Sequence, residues 1–226
     1  MRTIYRLAKN IAVNFDRAFG TSIKERGGEI YRYLRKKWSY VRRILDPLKI
    51  RFGSKLGLLH HRNLRLHLGC GSKHFDGYTN VDFWLTDGTD VICDVTRLPW
   101  PTNSVEIIES YHVLEHISHR TIGQTLREWY RVLKPHGKLI LECPDFDRAI
   151  MEYQTGREDR LINIFGQQRF HGDTHLFGYN SSRLIRLLRE NGFDDFKQEL
   201  PQSSQSLEEP SFRIECKKPG NPIVYS

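Results

Sequence analysis

From residue 64 onward the chain alternates short apolar runs with one clear helical pattern. Leu64 to Leu68 reads as a strand and meets Gly69-Cys70-Gly71-Ser72 at once. Asn80 to Phe83, Asp90 to Asp94 and Val105 to Ser110 read as three further strands. In Thr121 to Leu133, Ile122, Leu126, Trp129, Tyr130 and Leu133 fall on one face at helical spacing. Pro135-His136-Gly137 is expected to stop that helix before a fifth strand over Lys138 to Cys143. Short strands joined by helices or crossovers predict an α/β fold, a mostly parallel sheet covered on both faces. Ligands of such sheets bind at the carboxyl ends of the strands.

Upstream the pattern differs. Ile4, Leu7, Ala8, Ile11, Ala12, Phe15 and Phe19 recur at helical spacing, with Arg2, Arg6, Lys9 and Arg17 opposite. After Gly27-Gly28 a second apolar stripe runs from Ile30 through Tyr33, Leu34, Trp38, Val41 and Leu45 to Leu48. Asp46-Pro47 closes it, because a residue before proline avoids the helical region. The division expected is therefore 1–60, a basic amphipathic helical extension, and 61–226, the α/β domain.

Charge follows the same division. The chain of 226 residues carries a formal charge of +8. Residues 1–62 hold 16 Lys and Arg against 4 Asp and Glu, whereas 63–226 hold 19 against 23. The basic balance thus belongs to the extension and says nothing about the chemistry of the domain. A basic face opposite Trp, Tyr, Phe and Ile suits an anionic membrane surface through residues 1–50. Packing of the stripes on the domain is the plainer alternative, and phosphate neutralisation is a third. No run of about 18 apolar residues exists to span a bilayer, and Arg2, Arg6 and Lys9 interrupt any secretory apolar region. The expected location is cytoplasmic, peripheral at the membrane if the extension binds lipid. Cys70, Cys93, Cys143 and Cys216 lie far apart without a C-x-x-C pair, which fits buried free thiols rather than a zinc site.

Gly69 and Gly71 sit where a strand ends, so the backbone can turn tightly and approach a ligand. Asp82 and Asp94 end the next two strands, placed to accept hydrogen bonds from ribose hydroxyls and from an adenine amino group. With L-H-L-G-C-G (Leu66 to Gly71), N-V-D (Asn80 to Asp82), the run from Asp94 to Ile108, H-V-L-E-H (His112 to His116) and the run from Leu126 to Leu141, the chain resembles the class I S-adenosylmethionine-dependent methyltransferases, close to the small-molecule branch called type 11. The resemblance covers residues 64–145. It implies a doubly wound, seven-stranded, Rossmann-like methyltransferase sheet. Ser181 to Asn191 would supply a helix, and Asp194 to Leu200 with Phe212 to Cys216 a final antiparallel pair.

It also implies S-adenosyl-L-methionine as cofactor. The loop Gly69, Cys70, Gly71 would hold the methionine end, Asp82 the ribose, Asp94 and the Val95 backbone the adenine, with Leu98 on its ring. His67 and Tyr111 complete the set of cofactor-binding candidates. His67 stands where the family commonly has an acid, and Lys73 where it commonly has a third glycine. Only 13 positions separate Gly69 from Asp82, too few for a dinucleotide-binding turn and helix.

For proton transfer the candidates are His112, Glu115 and His116, which follow the fourth strand. His112 and Glu115 are spaced to share a helix face, whereas Glu115 and His116 would diverge. H-x-x-E-H with His171 and His175 has ligand types suited to a divalent ion. Some relatives bind magnesium with a carboxylate at the His112 position. Histidine suits a hard cation poorly, so no metal is expected.

Residues 150–180 form a lid-like insertion. Its stretch from Arg157 to Tyr179 is dense in polar and aromatic groups and reads as a cover for the acceptor. Arg169, His171, His175 and Tyr179 are its substrate-binding candidates. The expected acceptor is a small molecule or a glycoconjugate, such as a lipid-linked saccharide. No N-P-P-[FY] signature follows the fourth strand, where Ser110-Tyr111-His112-Val113 stands. That, with an acidic domain, disfavours nucleic acid. The alternatives are a methyltransferase fold that binds without catalysis, supported by His67 and Lys73, and a nucleic-acid methyltransferase that uses the basic arm.

Overall fold

The computed structural model describes residues 64–170, 172–204 and 208–220. The basic extension, expected over residues 1–60, and His171 lie outside the described residues. Seven strands form one sheet: β1 (Leu64–Leu68), β2 (Thr79–Asp82), β3 (Val91–Ile92), β4 (Val105–Tyr111), β5 (Leu133–Pro144), β6 (Asp194–Glu199) and β7 (Ser211–Lys217). Their order is β3-β2-β1-β4-β5-β7-β6. All pairs through β5 are parallel; β7 runs antiparallel to both β5 and β6. This is the mostly parallel, seven-stranded arrangement expected, with the order reversing on either side of β1. Two neighbouring strands that diverge there leave a crevice at their carboxyl ends.

Among the described residues the helices are α1 (Ile122–Val132), α2 (Phe146–Gln154), α3 (Arg160–Phe165) and α4 (Ser181–Glu190). α1 forms because Ile122, Leu126 and Trp129 recur on one buried stripe. Asn180 caps α4 by accepting from the Arg183 N–H at 2.7 Å. Leu126 and Trp129 of α1, with Leu184 and Leu188 of α4, join Leu66, Leu68, Ile108, Leu139, Leu141, Ile214 and Cys216 in one hydrophobic core. Strand register puts those sheet residues on a common face: Leu66 stands beside Ile108, Ile108 beside Leu139 and Leu139 beside Cys216. All four cysteines are buried free thiols, as expected.

The other sheet face departs from expectation. The same register aligns His67 with Asn80 and with Glu109, Tyr111 with Glu142, and Glu142 with Arg213. A sheet wrapped on both faces by helices is normally apolar on both. Here the intervals between β1, β2, β3 and β4 are turns, with no helix, so this face has no helix from those crossovers to bury apolar residues against. The short gap before Asp82 already allowed little more than a turn.

Two further boundaries differ from the sequence reading. β5 begins at Leu133, directly after α1, and runs through Pro135-His136-Gly137. A register shift between Val105 and Ile107 absorbs the extra residues, and His136 takes a positive φ of 65°. The turn residues make a bulge inside the strand rather than a break before it. α2 has no counterpart in the sequence reading. Its Asp145 cap accepts from the Arg148 N–H, but Ala149 is its one buried residue, so the apolar periodicity is faint. The insertion is thus partly helical, with α2 and α3, rather than an open loop.

Candidate active site

The turn after β1 is built by glycine. Gly69 and Gly71 adopt φ of 70° and 54°, in the left-handed region that costs glycine least. A Cβ on Gly69 would lie 2.2 Å from Val113 Cγ2, whereas beside Gly71 there is nothing within 4 Å. One glycine therefore permits close packing under the site, and the other leaves the loop open to a ligand. The Gly69 and Cys70 N–H groups both donate to the Val81 carbonyl, at 2.8 and 3.1 Å, which pins the turn to β2. Burial pushes the Cys70 thiol up to about 12, so it is an inert packing group.

Asp82 ends β2 facing this turn. Its Oδ2 accepts from the Gly71 N–H at 2.8 Å and its Oδ1 from the Trp84 N–H at 2.7 Å. Those bonds fix the carboxylate and leave each oxygen a further lone pair, the capacity needed for two ribose hydroxyls. Asp94, exposed after β3, is oriented by the Thr96 N–H and hydroxyl at 2.9 and 2.7 Å. The Val95 carbonyl accepts from Trp129 Nε1 at 2.8 Å, and the Leu98 N–H donates to Glu128 at 2.8 Å, so α1 holds this segment in place. An open glycine cradle and two oriented carboxylates at successive strand ends fit S-adenosylmethionine.

Three other expected cofactor residues, Leu98, His67 and Tyr111, have these protein contacts. Leu98, expected on an adenine ring, is packed into the core. His67 is buried beneath Phe75, with ring centroids 3.9 Å apart, and its Nδ1 lies 3.1 Å from Asn80 Oδ1. Burial pulls its pKa down despite that bond, so it is a neutral packing and bonding group. Tyr111 donates to Glu109 and accepts from Arg213 at 3.3 Å. Burial and Glu109 push its pKa up, so it stays a protonated donor.

The segment after β4 carries the proton-transfer candidates. His112 has φ of 54°, unusual for a side-chain-bearing residue and a form of strain that gathers at functional sites. Its Nδ1 lies 3.1 Å from Glu209 and 3.7 Å from Glu115, and its Nε2 lies 3.2 Å from Ser203 Oγ. Burial pulls the pKa of His112 down, but Glu209, Glu115 and Glu142 outweigh it and hold it above the ordinary imidazole value. Glu115 and His116, expected to diverge, instead lie together: the turn Leu114–His116 is a single 3-10 turn that brings His116 Nε2 to 4.0 Å from Glu115.

The insertion meets this segment closely. His175 Nδ1 lies 2.8 Å from the Asn163 carbonyl, and its ring packs edge-on against His116 at 4.9 Å. Burial lowers its pKa. Of the other substrate candidates, Arg169 donates to Asp173 through Nε and Nη2 at 2.8 and 3.1 Å. Tyr179 is fully buried in the core, with its main chain bridged to Asp145. The insertion thus brings His175 against His116, while Arg169 and Tyr179 bond and pack within it.

Several site residues escaped the sequence reading. Glu142, at the end of β5, is fully buried against Arg213 at 3.0 Å. Burial pushes Glu142 up, but the Gln202 and Ser203 N–H groups at 2.7 and 2.9 Å, with Arg213, hold it below the usual carboxylate range. That pairing draws the β6–β7 connection over β5 and so delivers Ser203 to His112. Asn163 of α3 donates to Glu209, and Arg160 of α3 donates to Glu152 at 2.6 Å and to the Glu208 carbonyl at 3.3 Å. The visible signal was a charge inside an apolar strand run, Glu142 between Leu141 and Cys143 and Arg213 between Phe212 and Ile214.

Comparison with known proteins agrees with this geometry. Residues 79–141 match the family described as a methyltransferase domain. A SAM-dependent methyltransferase from Methanosarcina mazei has a similar structure at 17% identity and a TM-score of 0.51, over 74% of this chain and 97% of that one. A possible histamine N-methyltransferase from Thermotoga maritima is 18% identical with a TM-score of 0.48, over 84% of this chain and 97% of that one. No curated protein matches the sequence. The matched segment runs from β2 to β5 and holds Asp82, Asp94 and the His112–His116 run; with the strand order, the structural likeness shows that the domain has the fold of S-adenosylmethionine-dependent methyltransferases.

Proposed function

We propose that the domain transfers a methyl group to a small-molecule or glycoconjugate acceptor held between the turn after β4, the insertion and the β6–β7 connection. The observation that carries this reading is the pairing of an open glycine cradle with Asp82 on one side and a buried cluster of proton-handling groups on the other. When bound, S-adenosylmethionine supplies an activated methyl group on a positively charged sulfur, whose charge is dissipated as the methyl leaves. The protein's part is to bind, orient and exclude water. Gly71 leaves room for the backbone to meet the ligand, and Asp82 fixes a ribose through lone pairs already oriented by two N–H groups.

His112 is the base of this reading. Glu209 holds its Nδ1, which leaves Nε2 facing Ser203 as the nitrogen that can take a proton from an acceptor hydroxyl. A small acceptor is the reading that α3 supports, because its Arg160 and Asn163 donate to the Glu208 carbonyl and to Glu209 and so tie the insertion to the β6–β7 connection. The basic extension, residues 1–50, is the element we assign to an anionic membrane surface, which would bring the enzyme to lipid-linked acceptors. Among the described residues, no helix is long and apolar enough to cross a membrane.

Radiolabelled methyl transfer from S-adenosylmethionine into separated lipid, polysaccharide, protein and RNA fractions tests the assignment. Label in the lipid or saccharide fraction, lost in Asp82→Ala, is the expected outcome. Label in RNA would overturn the acceptor assignment, and no label in any fraction would overturn the catalytic one. Flotation with anionic vesicles tests the extension: the full chain should float and a chain beginning at residue 51 should not.

A further inference from the structure

Glu115 is buried to 2% exposure, and both of its carboxylate oxygens lack a hydrogen-bond partner. The nearest basic nitrogens, on His112 and His116, stand at 3.7 and 4.0 Å, too far to satisfy it. His112 is already engaged by Glu209 at 3.1 Å. An ionised carboxylate stripped of water without partners costs several kcal/mol. A cation between Glu115 and its neighbours would satisfy both oxygens.

Those neighbours are prepared for one kind of group. His116 Nδ1 lies 3.1 Å from the Thr174 carbonyl, and His175 Nδ1 lies 2.8 Å from the Asn163 carbonyl. A carbonyl oxygen can only accept, so each Nδ1 carries the proton and each Nε2 keeps a lone pair. This is the outer-shell arrangement that fixes the tautomer of a metal-ligating histidine. One ligand atom from each of Glu115, His116 and His175 lies within 4.8 Å of the others. The frame is rigid as well as close: the Leu176 and Phe177 N–H groups donate to the Glu115 carbonyl at 2.7 and 3.3 Å, so the segment bearing His175 is bonded to the main chain of Glu115.

We propose that Glu115, His116 and His175 form a binding site for a divalent transition-metal ion of the zinc type. Two imidazoles and one carboxylate favour such an ion over magnesium or calcium, which prefer all-oxygen shells. Three protein ligands leave at least one coordination position for water or for an oxygen of the acceptor. His112 is outside the set, so the site differs from the H-x-x-E-H ligand run considered from sequence. The insertion acquires a defined purpose: it supplies the third ligand, and the ion would tie it to the turn after β4.

The test is calorimetric titration of zinc, with magnesium as a control, into the full chain stripped by chelation, and the same titration of His116→Ala and His175→Ala. One zinc per chain is expected, with magnesium giving no saturable heat. Each variant should bind at least about 100-fold more weakly, beyond the roughly 10–100-fold that loss of an outer-shell partner costs. Cobalt in place of zinc should give visible absorption of four-coordinate type in the wild type and lose it in His175→Ala. Circular dichroism establishes that each variant is folded, and Glu115→Gln serves if one is not. Wild-type protein that takes up no zinc, or His175→Ala that binds as tightly as wild type, would overturn the proposal. Binding of S-adenosylhomocysteine is read separately, so failure of the metal site and failure of the methyltransferase reading are distinguishable.

Discussion

The cofactor half and the acceptor half of the site are built in different ways. The first is contiguous: Gly69, Gly71, Asp82 and Asp94 lie at the ends of three successive strands, and the turns between them bond mostly to one another. The second is assembled from afar. His112 meets Ser203 and Glu209, Glu142 meets Arg213 and Gln202, and His116 meets His175. A cradle for an invariant cofactor can be specified locally, whereas a pocket for a particular acceptor is assembled from whatever the insertion and the β6–β7 connection bring to it.

If that contrast is right, damage to the long-range half should cost stability first. Arg213→Ala leaves Glu142 and Glu215 without their guanidinium partner on a buried face, and breaking a buried pair costs about 3–5 kcal/mol. Urea unfolding should show a loss of that size; a change under about 1 kcal/mol would mean that the Gln202 and Ser203 N–H groups suffice to hold Glu142.

Gly69→Ala probes the local half. Its Cβ would meet Val113, and the residue would keep a left-handed φ, so a loss of about 1–3 kcal/mol is expected from overpacking and strain. Gly71→Ala has the same conformational cost without the clash, and it should impair cofactor binding more than stability. Equal effects of the two substitutions on unfolding would erase the distinction between the packed and the open glycine.

A pH titration sharpens the comparison further. Glu142 has a folded-state pKa below its unfolded value, so its stabilisation is present above the ordinary carboxylate range and is lost as pH falls through the folded value. Glu142→Gln should be less stable than wild type at neutral pH and show a shallower decline on the acid side. An unchanged acid slope would place the pH-dependent stability elsewhere. The smallest effect is expected from Asp94→Asn: the side chain is exposed and its bonds to Thr96 are local, so stability should change by less than about 0.5 kcal/mol, measured by thermal unfolding.

The same contrast explains what the sequence disclosed. Leu64–Leu68 followed by Gly69 is a strand and turn written in neighbouring residues, and Asp82 and Asp94 mark strand ends by position alone. α2 was hidden because its single buried residue leaves no apolar stripe to detect. β5 was misjudged at its start because Pro135-His136-Gly137 ordinarily signals a break, while here pairing with β4 carries the strand through a bulge. Glu142, Ser203, Glu209 and Arg213 have meaning only once β5, β7 and the β6–β7 connection are together. The charged residues inside apolar runs mark where such partners must exist, but not which partners they are.

The most direct test of the central claim is calorimetric titration of S-adenosylhomocysteine into the full chain and into Asp82→Ala. Removing a carboxylate that accepts two hydroxyl bonds costs about 1.5–3 kcal/mol for each charged hydrogen bond, so at least tenfold weaker binding is expected in the variant, with the fold retained. Saturable binding at one site by the wild type, lost or weakened to that extent in Asp82→Ala, is the predicted result. Wild-type protein that shows no binding, or a variant that binds as tightly, would contradict the account.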